Sequence, residues 1–224
     1  GAMPGSIVQK MKKIKVKYLK AIQKNIPKEI TLVAVSKTKT NADILEVYNS
    51  GQRIFGENKV QELVEKSALL PEDISWHMIG HLQTNKVKFI APFIALIHGV
   101  DSLKLLKEID KRAGQNKRII DCLLQVHIAQ ENSKFGFAID EIQEVIKDAE
   151  QFKNIKITGL MAMATFTNNK MQISAEFQSL KNVFQEVKNN QITILSIGMS
   201  GDYQIAIEKG SNMVRIGSAI FGSR

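Results

Sequence analysis

The chain of 224 residues is 44% hydrophobic and 24% charged, and it carries a formal net charge of +9 at pH 7. This length fits one large domain or two small ones. No apolar stretch reaches the ~18 residues that span a membrane. The lysines are spread along the chain and only 6% of the residues are aromatic, so neither a membrane nor a nucleic acid is an expected partner.

The single cysteine, Cys122, excludes an intrachain disulfide and favours a reducing compartment. Since no export signal is visible in this sequence, we expect the cytoplasm. Cys122 lies in the apolar run CLLQV, which predicts a buried, unreactive thiol. The first six residues, GAMPGS, resemble an expression remnant, so the predicted domain covers residues 7–224.

The first predicted element is a helix that contains MKKIKVKYLK. Its dense lysines predict a solvated face. Four apolar residues recur at helical spacing and predict its buried stripe. They are Ile14, Tyr18, Ala21 and Ile22.

Short apolar runs then alternate with longer amphipathic segments along the rest of the chain. The runs are ITLVAVS, QRIFGEN, SWHMIG, IALIHGV, DCLLQVHI, KITGLMAM, TILSIGMS and NMVRIGSA. The helix-like segments include NADILEVYNS, DSLKLLKEIDKRAG, DEIQEVIKDAEQF and ISAEFQSLKNVFQEVKNN. Strands separated by helices favour right-handed crossovers and a parallel sheet. Eight runs predict an α/β fold, a single-domain (β/α)8 TIM barrel with an additional N-terminal helix; a doubly wound open sheet is the alternative.

Lys37 follows the first run almost at once, where a barrel places its functional residues. A lysine there can lay its stem along the rim and keep its ammonium in water. Alternatively, it can serve as a Schiff-base amine, which must be uncharged to attack a carbonyl. Burial and a nearby cation lower the pKa of a lysine from ~10.4 toward neutrality, so the second role predicts a desolvated side chain.

Asn58 ends the second run and His81 follows the third, and both are further candidates for the mouth of the barrel. His77 and His81 have the spacing of two zinc ligands on a helix. However, SWHMIG is strand-like and Gly80 interrupts it, so no metal site is expected. His98 and His127 add no supporting cluster in the sequence, and His77 is expected to be part of the core.

Glycine and serine lie at the ends of both the seventh and the eighth runs. Ser200 and Gly201 end SIGMSG, and Gly217 and Ser218 follow MVRI. Backbone N–H groups and hydroxyls in such turns bind anions, and barrels often build a phosphate site from these two loops. Plain loop glycines and capping serines are the alternative. GMSGD lacks the last glycine of G-x-S-x-G, which argues against a serine hydrolase.

Arg215 lies within the eighth run. An inward arginine is costly in a barrel unless it is paired, because it does not lose its charge. It is therefore either part of a structural ion pair, whose acidic member the sequence does not name, or a donor to a heteroatom of a ligand.

Together these residues resemble the YggS/PROSC family of pyridoxal phosphate homeostasis proteins, which are similar to the barrel domain of bacterial alanine racemases. The resemblance runs through VAVSKTK, RIFGENKVQEL, WHMIGHLQTNK, VDSLKLL, ENSKFGF, GLMAMATF, LSIGMSGDYQIAI and VRIGSAIFG. The chain departs from the family at Ala164 and Thr165, where many members have prolines, and at Lys59, where an aromatic residue is common.

The resemblance implies pyridoxal 5′-phosphate as the cofactor and Lys37 as the residue that forms the internal aldimine. Ser200, Gly217 and Ser218 are then implied to hold the phosphate. Arg215 is implied to face the pyridine nitrogen. Asn58 and His81 are implied to line the pocket.

An always-charged arginine at the pyridine nitrogen discourages its protonation and makes the ring a poorer electron sink. We therefore expect a protein that serves vitamin B6 homeostasis: it binds and protects the cofactor and hands it to recipient apo-enzymes, with little or no turnover. Because the eight runs leave no room for the second domain that the resemblance implies for the racemase dimer interface, we also expect a monomer. An amino-acid racemase is the alternative. The resemblance implies that the racemases have, in addition, a second domain and a tyrosine that acts as a base. None of the tyrosines of this sequence, Tyr18, Tyr48 and Tyr203, lies at an evidently equivalent position. A barrel for another phosphorylated metabolite is a third possibility.

Overall fold

The computed structural model describes residues 4–131 and 135–222, and it describes only the backbone of residues 4–6 and 8–15. Eight strands in these residues form one closed parallel barrel in sequence order. This confirms the predicted TIM barrel. Each strand coincides with one of the eight apolar runs, except that β5 and β6 each begin one residue before their run. The strands are β1 (Thr31–Val35), β2 (Ile54–Glu57), β3 (Ser75–Met78), β4 (Leu96–Val100), β5 (Ile120–Gln125), β6 (Ile155–Met161), β7 (Ile194–Ser196) and β8 (Met213–Ile216).

Helices occupy the segments around the strands, as the amphipathic pattern predicts. They are α1 (Pro4–Asn25), α2 (Asn41–Asn49), α3 (Val60–Leu69), α4 (Val87–Ile90), α5 (Leu103–Gln115), α6 (Ile142–Ala149), α7 (Lys170–Val187), α8 (Tyr203–Glu208) and α9 (Ser218–Phe221). The additional helix α1 precedes β1, and among the described residues none of these helices is long and apolar enough to cross a membrane. The boundary at residue 7 stays a prediction: residues 1–3 lie outside the described residues, and α1 begins at Pro4.

The buried stripe of α1 differs from the predicted one. Among the described side chains of α1, Leu19 and Ile22 are buried, and Ile26, which follows the helix, is buried too, whereas Tyr18 is 49% exposed and Ala21 is also exposed. The side chain of Ile14 lies outside the described residues. Of the predicted stripe, only Ile22 is therefore shown to be buried. The spacing of three and then four residues from Leu19 is equally helical, so the lysine-rich pattern gave the correct period but the wrong face.

Alternation along the strands sorts the core into two parts. One part lies inside the barrel and includes Val33, Leu96, Leu123, Met161 and Met213. Their sequence neighbours face the helices and form the larger outer core. Because successive side chains of a strand point to opposite faces, every second residue of each strand is directed toward the barrel axis.

Cys122 belongs to the outer core and is fully buried. Burial, followed by the charge of Asp121, raises the pKa of the Cys122 thiol above its usual value. A thiol with a raised pKa carries little thiolate and is a poor nucleophile. The prediction that Cys122 is buried is confirmed, and its low reactivity stays a prediction.

The barrel closes where β1 pairs with β8. Thr31, Leu32, Val33 and Ala34 are in register with Met213, Val214, Arg215 and Ile216. Parallel strands end at the same edge of a sheet, so the turn that follows β1 lies beside the turn that follows β8. This closure decides which parts of the sequence meet at the mouth.

Gly159 allows β6 and β7 to approach closely. A Cβ atom at Gly159 would lie 2.0 Å from the Ile194 carbonyl oxygen, so Gly159→Ala forces the two strands apart. We expect a loss of about 1–3 kcal/mol in the free energy of unfolding, measured by urea denaturation. Lys156→Ala, on an exposed position of the same strand, is the matched control and should change it by less than about 0.5 kcal/mol. Equal values for the two variants would contradict this packing.

Candidate functional site

Lys37 lies just beyond β1, on a turn at the mouth of the barrel. Its side chain is exposed, so the predicted desolvation of this amine is wrong for the protein alone. The reason is its position: the residue follows the last paired residue of β1, where the barrel wall has ended.

A cavity of about 390 Å³ lies between the ends of β1, β2 and β8. It is large enough for a small cofactor. Four of the predicted site residues line it, namely Lys37, Asn58, Gly217 and Ser218. The remaining lining residues are Val35, Thr38, Lys39, Lys59, Glu62 and Gly222. The structure thus brings the candidate amine and one of the two candidate anion-binding turns into one cavity.

Ser200 joins the two Gly–Ser turns to each other. Its hydroxyl oxygen accepts the N–H of Gly217 at 3.3 Å and the N–H of Ala219 at 3.5 Å. A Cβ atom at Gly217 would lie 3.1 Å from Val35 Cβ and 3.2 Å from its carbonyl oxygen, whereas one at Gly201 would meet nothing within 4 Å. The turn after β8 therefore fits tightly against the end of β1, and the turn after β7 faces open space.

Arg215 is buried inside the barrel, two residues before Gly217. Its Nη1 donates to both the carbonyl and the hydroxyl oxygen of Ser196, and its Nη2 donates to the carbonyl oxygen of Ala162 at 3.0 Å. Within the described part of the chain, it makes no ion pair with a carboxylate, so the alternative of a structural ion pair is wrong. Burial lowers the pKa of Arg215 to about 10, with Asp202 opposing that effect, so the guanidinium is charged at neutral pH.

Two histidines extend this polar cluster across the barrel. His98 Nδ1 lies 3.0 Å from Ser196 Oγ, and His98 Nε2 lies 2.9 Å from His77 Nδ1. A guanidinium only donates, so the Ser196 hydroxyl accepts from Arg215 and can donate to His98. A neutral His98 then donates from Nε2 to His77. On this assignment every contact has one donor and one acceptor.

Burial keeps both histidines neutral. It lowers the pKa of His77 to about 4 and lowers the pKa of His98 well below the usual value, with His77 and then Arg215 adding to the effect on His98. The prediction of His77 as a core residue is therefore confirmed. His98 and Ser196 were missed. Their position in the sequence could have identified them. His98, Ser196 and Arg215 each come two residues after an inward apolar residue, so strand alternation directs all three into the barrel.

His81 lies beside a second cavity, of about 560 Å³, rather than beside Lys37. Asn58 and Lys59 line both cavities and so form the wall between them. The His81 ring stacks on Phe135 with 3.9 Å between centroids, and its Nδ1 lies 3.4 Å from Asp101. The described residues contain no group of three His, Cys, Asp or Glu side chains that could hold a metal ion.

The loop in which Ala164 and Thr165 replace prolines is held by buried Glu176. Its carboxylate accepts the N–H of Thr165 at 2.6 Å and the hydroxyl at 2.7 Å. The Thr165 hydroxyl oxygen in turn accepts the N–H of Gln130 at 2.8 Å. A threonine therefore ties the loops after β5 and β6 together by hydrogen bonds that a proline would not form.

Proteins of known family match almost the whole chain. A family model described as "Alanine racemase, N-terminal domain" matches residues 16–224. Two curated proteins named "Pyridoxal phosphate homeostasis protein" are 38% identical over 197 residues, in Aquifex aeolicus, and 40% identical over 195 residues, in Helicobacter pylori. The chain belongs to the family of these pyridoxal phosphate homeostasis proteins. The two alignments cover 86% of this chain each, and 86% and 87% of those proteins.

Solved structures of the family have the same barrel. PipY of Synechococcus elongatus, solved with pyridoxal phosphate bound, is 32% identical, with a TM-score of 0.84 and coverage of 93% of this chain and 100% of PipY. An alanine racemase from Bartonella henselae has a TM-score of 0.74 at 17% identity, and the match covers 95% of this chain and 61% of the racemase. This second likeness is one of fold alone.

The neutral His77 predicts a loss of stability in mild acid. An unfolded histidine has a pKa of ~6.5, whereas the folded value is about 4. Between these pH values the unfolded chain binds more protons, so stability falls as pH falls. We expect His77 to remove roughly 2 kcal/mol between pH 7 and pH 5.

His77→Asn places an amide oxygen near the position of Nδ1 and removes the titration. The variant should be less stable than the wild type at pH 7 but should lose about 2 kcal/mol less on going to pH 5, measured by urea denaturation at both pH values. Parallel losses in the two proteins would contradict a neutral, buried His77.

Proposed function

We propose that this protein binds pyridoxal 5′-phosphate in the cavity at the mouth of the barrel and serves cofactor homeostasis, with Lys37 as the point of covalent attachment. The observation that carries the proposal is the placement of Lys37 beside Gly217 and Ser218 in one cavity. An amine and an anion-binding turn that line the same cavity suit a ligand that carries both an aldehyde and a phosphate. The relatives named for pyridoxal phosphate homeostasis support this choice of ligand.

The residues present fit this cofactor. A phosphate between the two Gly–Ser turns would meet backbone N–H groups and serine hydroxyls, which are good anion donors. The open space beside Gly201 leaves room for the phosphate, and Lys59 adds a positive charge to the same cavity. Glu62 is the one carboxylate that lines the cavity, and its charge is compensated because it accepts from Lys66 at 2.9 Å.

Lys37 supplies the covalent step. Its uncharged amine would add through the nitrogen lone pair to the aldehyde carbon. The aldehyde oxygen would then leave as water with the two amine hydrogens, so the condensation would need no oxidant or reductant. The amine is exposed before the ligand arrives. Desolvation of this group therefore comes from the bound cofactor rather than from the barrel wall.

Arg215 is proposed to face the pyridine nitrogen from inside the barrel. It is held by Ser196 and Ala162 and remains charged at neutral pH. A permanent cation at that position disfavours a proton on the ring nitrogen, which makes the bound cofactor a weaker electron sink. This favours storage of the cofactor over turnover of amino acids.

The racemase alternative is not favoured, because no tyrosine is among the residues that line the cavity. Tyr18 is on α1, Tyr48 donates to Asp73 at 2.5 Å, and Tyr203 is buried. The relatives of highest identity given above carry a homeostasis name rather than an enzyme name. The cytoplasmic location, the monomeric state and the transfer to recipient apo-enzymes stay predictions, as do the expected absences of membrane and nucleic-acid partners.

Reduction with borohydride tests the attachment point. The wild-type protein incubated with pyridoxal 5′-phosphate and then reduced should gain the mass of one phosphopyridoxyl group, and peptide mapping should place it on Lys37. Lys37→Ala should show no such adduct, because the attacking nitrogen is gone.

Lys39→Ala is the matched control. The Lys39 ammonium donates to the carbonyl oxygen of Gly222 at 3.2 Å, so this variant should still carry the adduct on Lys37. An adduct retained in Lys37→Ala, or lost only in Lys39→Ala, would contradict the proposal.

A further inference from the structure

The turn that carries Lys37 has an unusual backbone conformation. The N–H of Lys39 donates to the carbonyl oxygen of Ser36 at 3.1 Å, which closes a four-residue turn with Lys37 and Thr38 in the middle. Thr38 has a φ of 63°. Glycine or asparagine is usual at this position of such a turn, and a positive φ is rare for a β-branched residue. Thr38 therefore needs support from its surroundings to keep this conformation.

The support comes from α3, through Glu62. The Glu62 carboxylate accepts the N–H of Thr38 at 2.9 Å and, through the same oxygen, the ammonium of Lys66 at 2.9 Å. Burial acts to raise the pKa of Glu62, but the hydrogen bonds from Thr38 and Lys66 outweigh it, so the pKa of Glu62 is lowered. Glu62 is thus charged at neutral pH, which strengthens its hold on the Thr38 N–H.

Lys66 fixes the other side of the turn. Its side chain is only 9% exposed, and its ammonium makes three hydrogen bonds of 2.9 Å, to Glu62, to Glu57 and to the carbonyl oxygen of Ser36. Buried Glu57 also accepts the hydroxyl of Ser36. Both neighbours of Lys37 in the chain are consequently bound by this network, while Lys37 itself is one of the residues that line the cavity.

We propose that Glu62, fixed in place by Lys66, is a positioning residue for Lys37. By accepting the Thr38 N–H, it keeps Thr38 at positive φ and so directs the Lys37 amine over the cavity. The inference rests on the proposed function, because the positioned group is the amine that captures the cofactor. It assigns a role to two residues that do not touch the reacting atoms.

The rate of covalent capture tests this role. Protein is mixed with pyridoxal 5′-phosphate, reduced with borohydride after increasing times, and the fraction modified at Lys37 is measured by mass spectrometry. We expect Glu62→Ala to slow capture by about tenfold or more, because small displacements of a reacting group have large effects on rate. Glu65→Ala, on an exposed position of the same helix, is the matched control and should react at the wild-type rate.

A rescue experiment separates positioning from a general loss of structure. Glycine adopts positive φ without support, so Thr38→Gly should make Glu62 largely dispensable. In the Thr38→Gly background, Glu62→Ala should slow capture by less than about threefold, a coupling that a double-mutant cycle measures. Thermal unfolding of each variant should show a folded barrel at the assay temperature.

Each failure has a different meaning. If the wild-type protein acquires no adduct on Lys37, the proposed function is wrong and the positioning role falls with it. If the wild type is modified and folded Glu62→Ala reacts equally fast, only the positioning role is wrong. The same holds if Glu62→Ala slows capture as much in the Thr38→Gly background as in the wild type, because Glu62 then does not act through the turn.

Discussion

The pairing of β1 with β8 is the constraint on which the site depends. It places residues from the two ends of the chain side by side, so that Lys39 near the start donates to the carbonyl oxygen of Gly222, 183 residues away. The amine of Lys37 and the Gly217–Ser218 turn share a cavity for the same reason. Neither turn alone supplies both an amine that could react with an aldehyde and N–H groups that could bind a phosphate.

Arg215 shows how the barrel can bury a charge without an acidic partner in contact with it. Removing a charged group from water costs several kcal/mol, and here the described hydrogen bonds go to neutral oxygens of Ser196 and Ala162. The adjoining His98 and His77 are neutral because they are buried, so they add hydrogen bonds without repelling the guanidinium. A polar layer thus lies within an otherwise apolar barrel, just below the mouth.

A second network holds the mouth from outside the barrel. Lys66 connects Glu57 at the end of β2 with Glu62 on α3, and both carboxylates contact the turn around Lys37. Burial raises the pKa of Glu57, and the hydrogen bonds from Ser36 and Lys66 offset only part of that shift. The inner layer fixes Arg215 and the outer network fixes the Lys37 turn, so the two halves of the site are supported independently.

Much of this architecture is readable from the sequence because it depends on local patterns. Each apolar run coincides with a strand, and the Gly217–Ser218 turn predicted at the mouth lines the cavity there, with Ser200 in contact with it. The two hydrogen-bond networks, around Arg215 and around Lys66, could not be predicted from the sequence. Whether His98 meets Ser196 depends on which strands face each other across a closed barrel, and Lys66 has the same local pattern as a solvated helix lysine.

The burial predicted for Lys37 was wrong for a related reason. Sequence shows that the residue follows a strand, but it does not show that the barrel wall ends before it. Similarly, the helical spacing in α1 was correct, while the buried face is set by the elements against which Leu19 and Ile26 pack.

Capture of pyridoxal 5′-phosphate by Lys37 can be seen in a crystal structure of the protein soaked with the cofactor. We expect continuous electron density from Lys37 Nζ to the cofactor, a phosphate between Ser200 and the Gly217–Ser218 turn, and the ring nitrogen directed toward Arg215. A cofactor bound in the neighbouring cavity beside Gln83 and Lys86, with Lys37 unmodified, would contradict it.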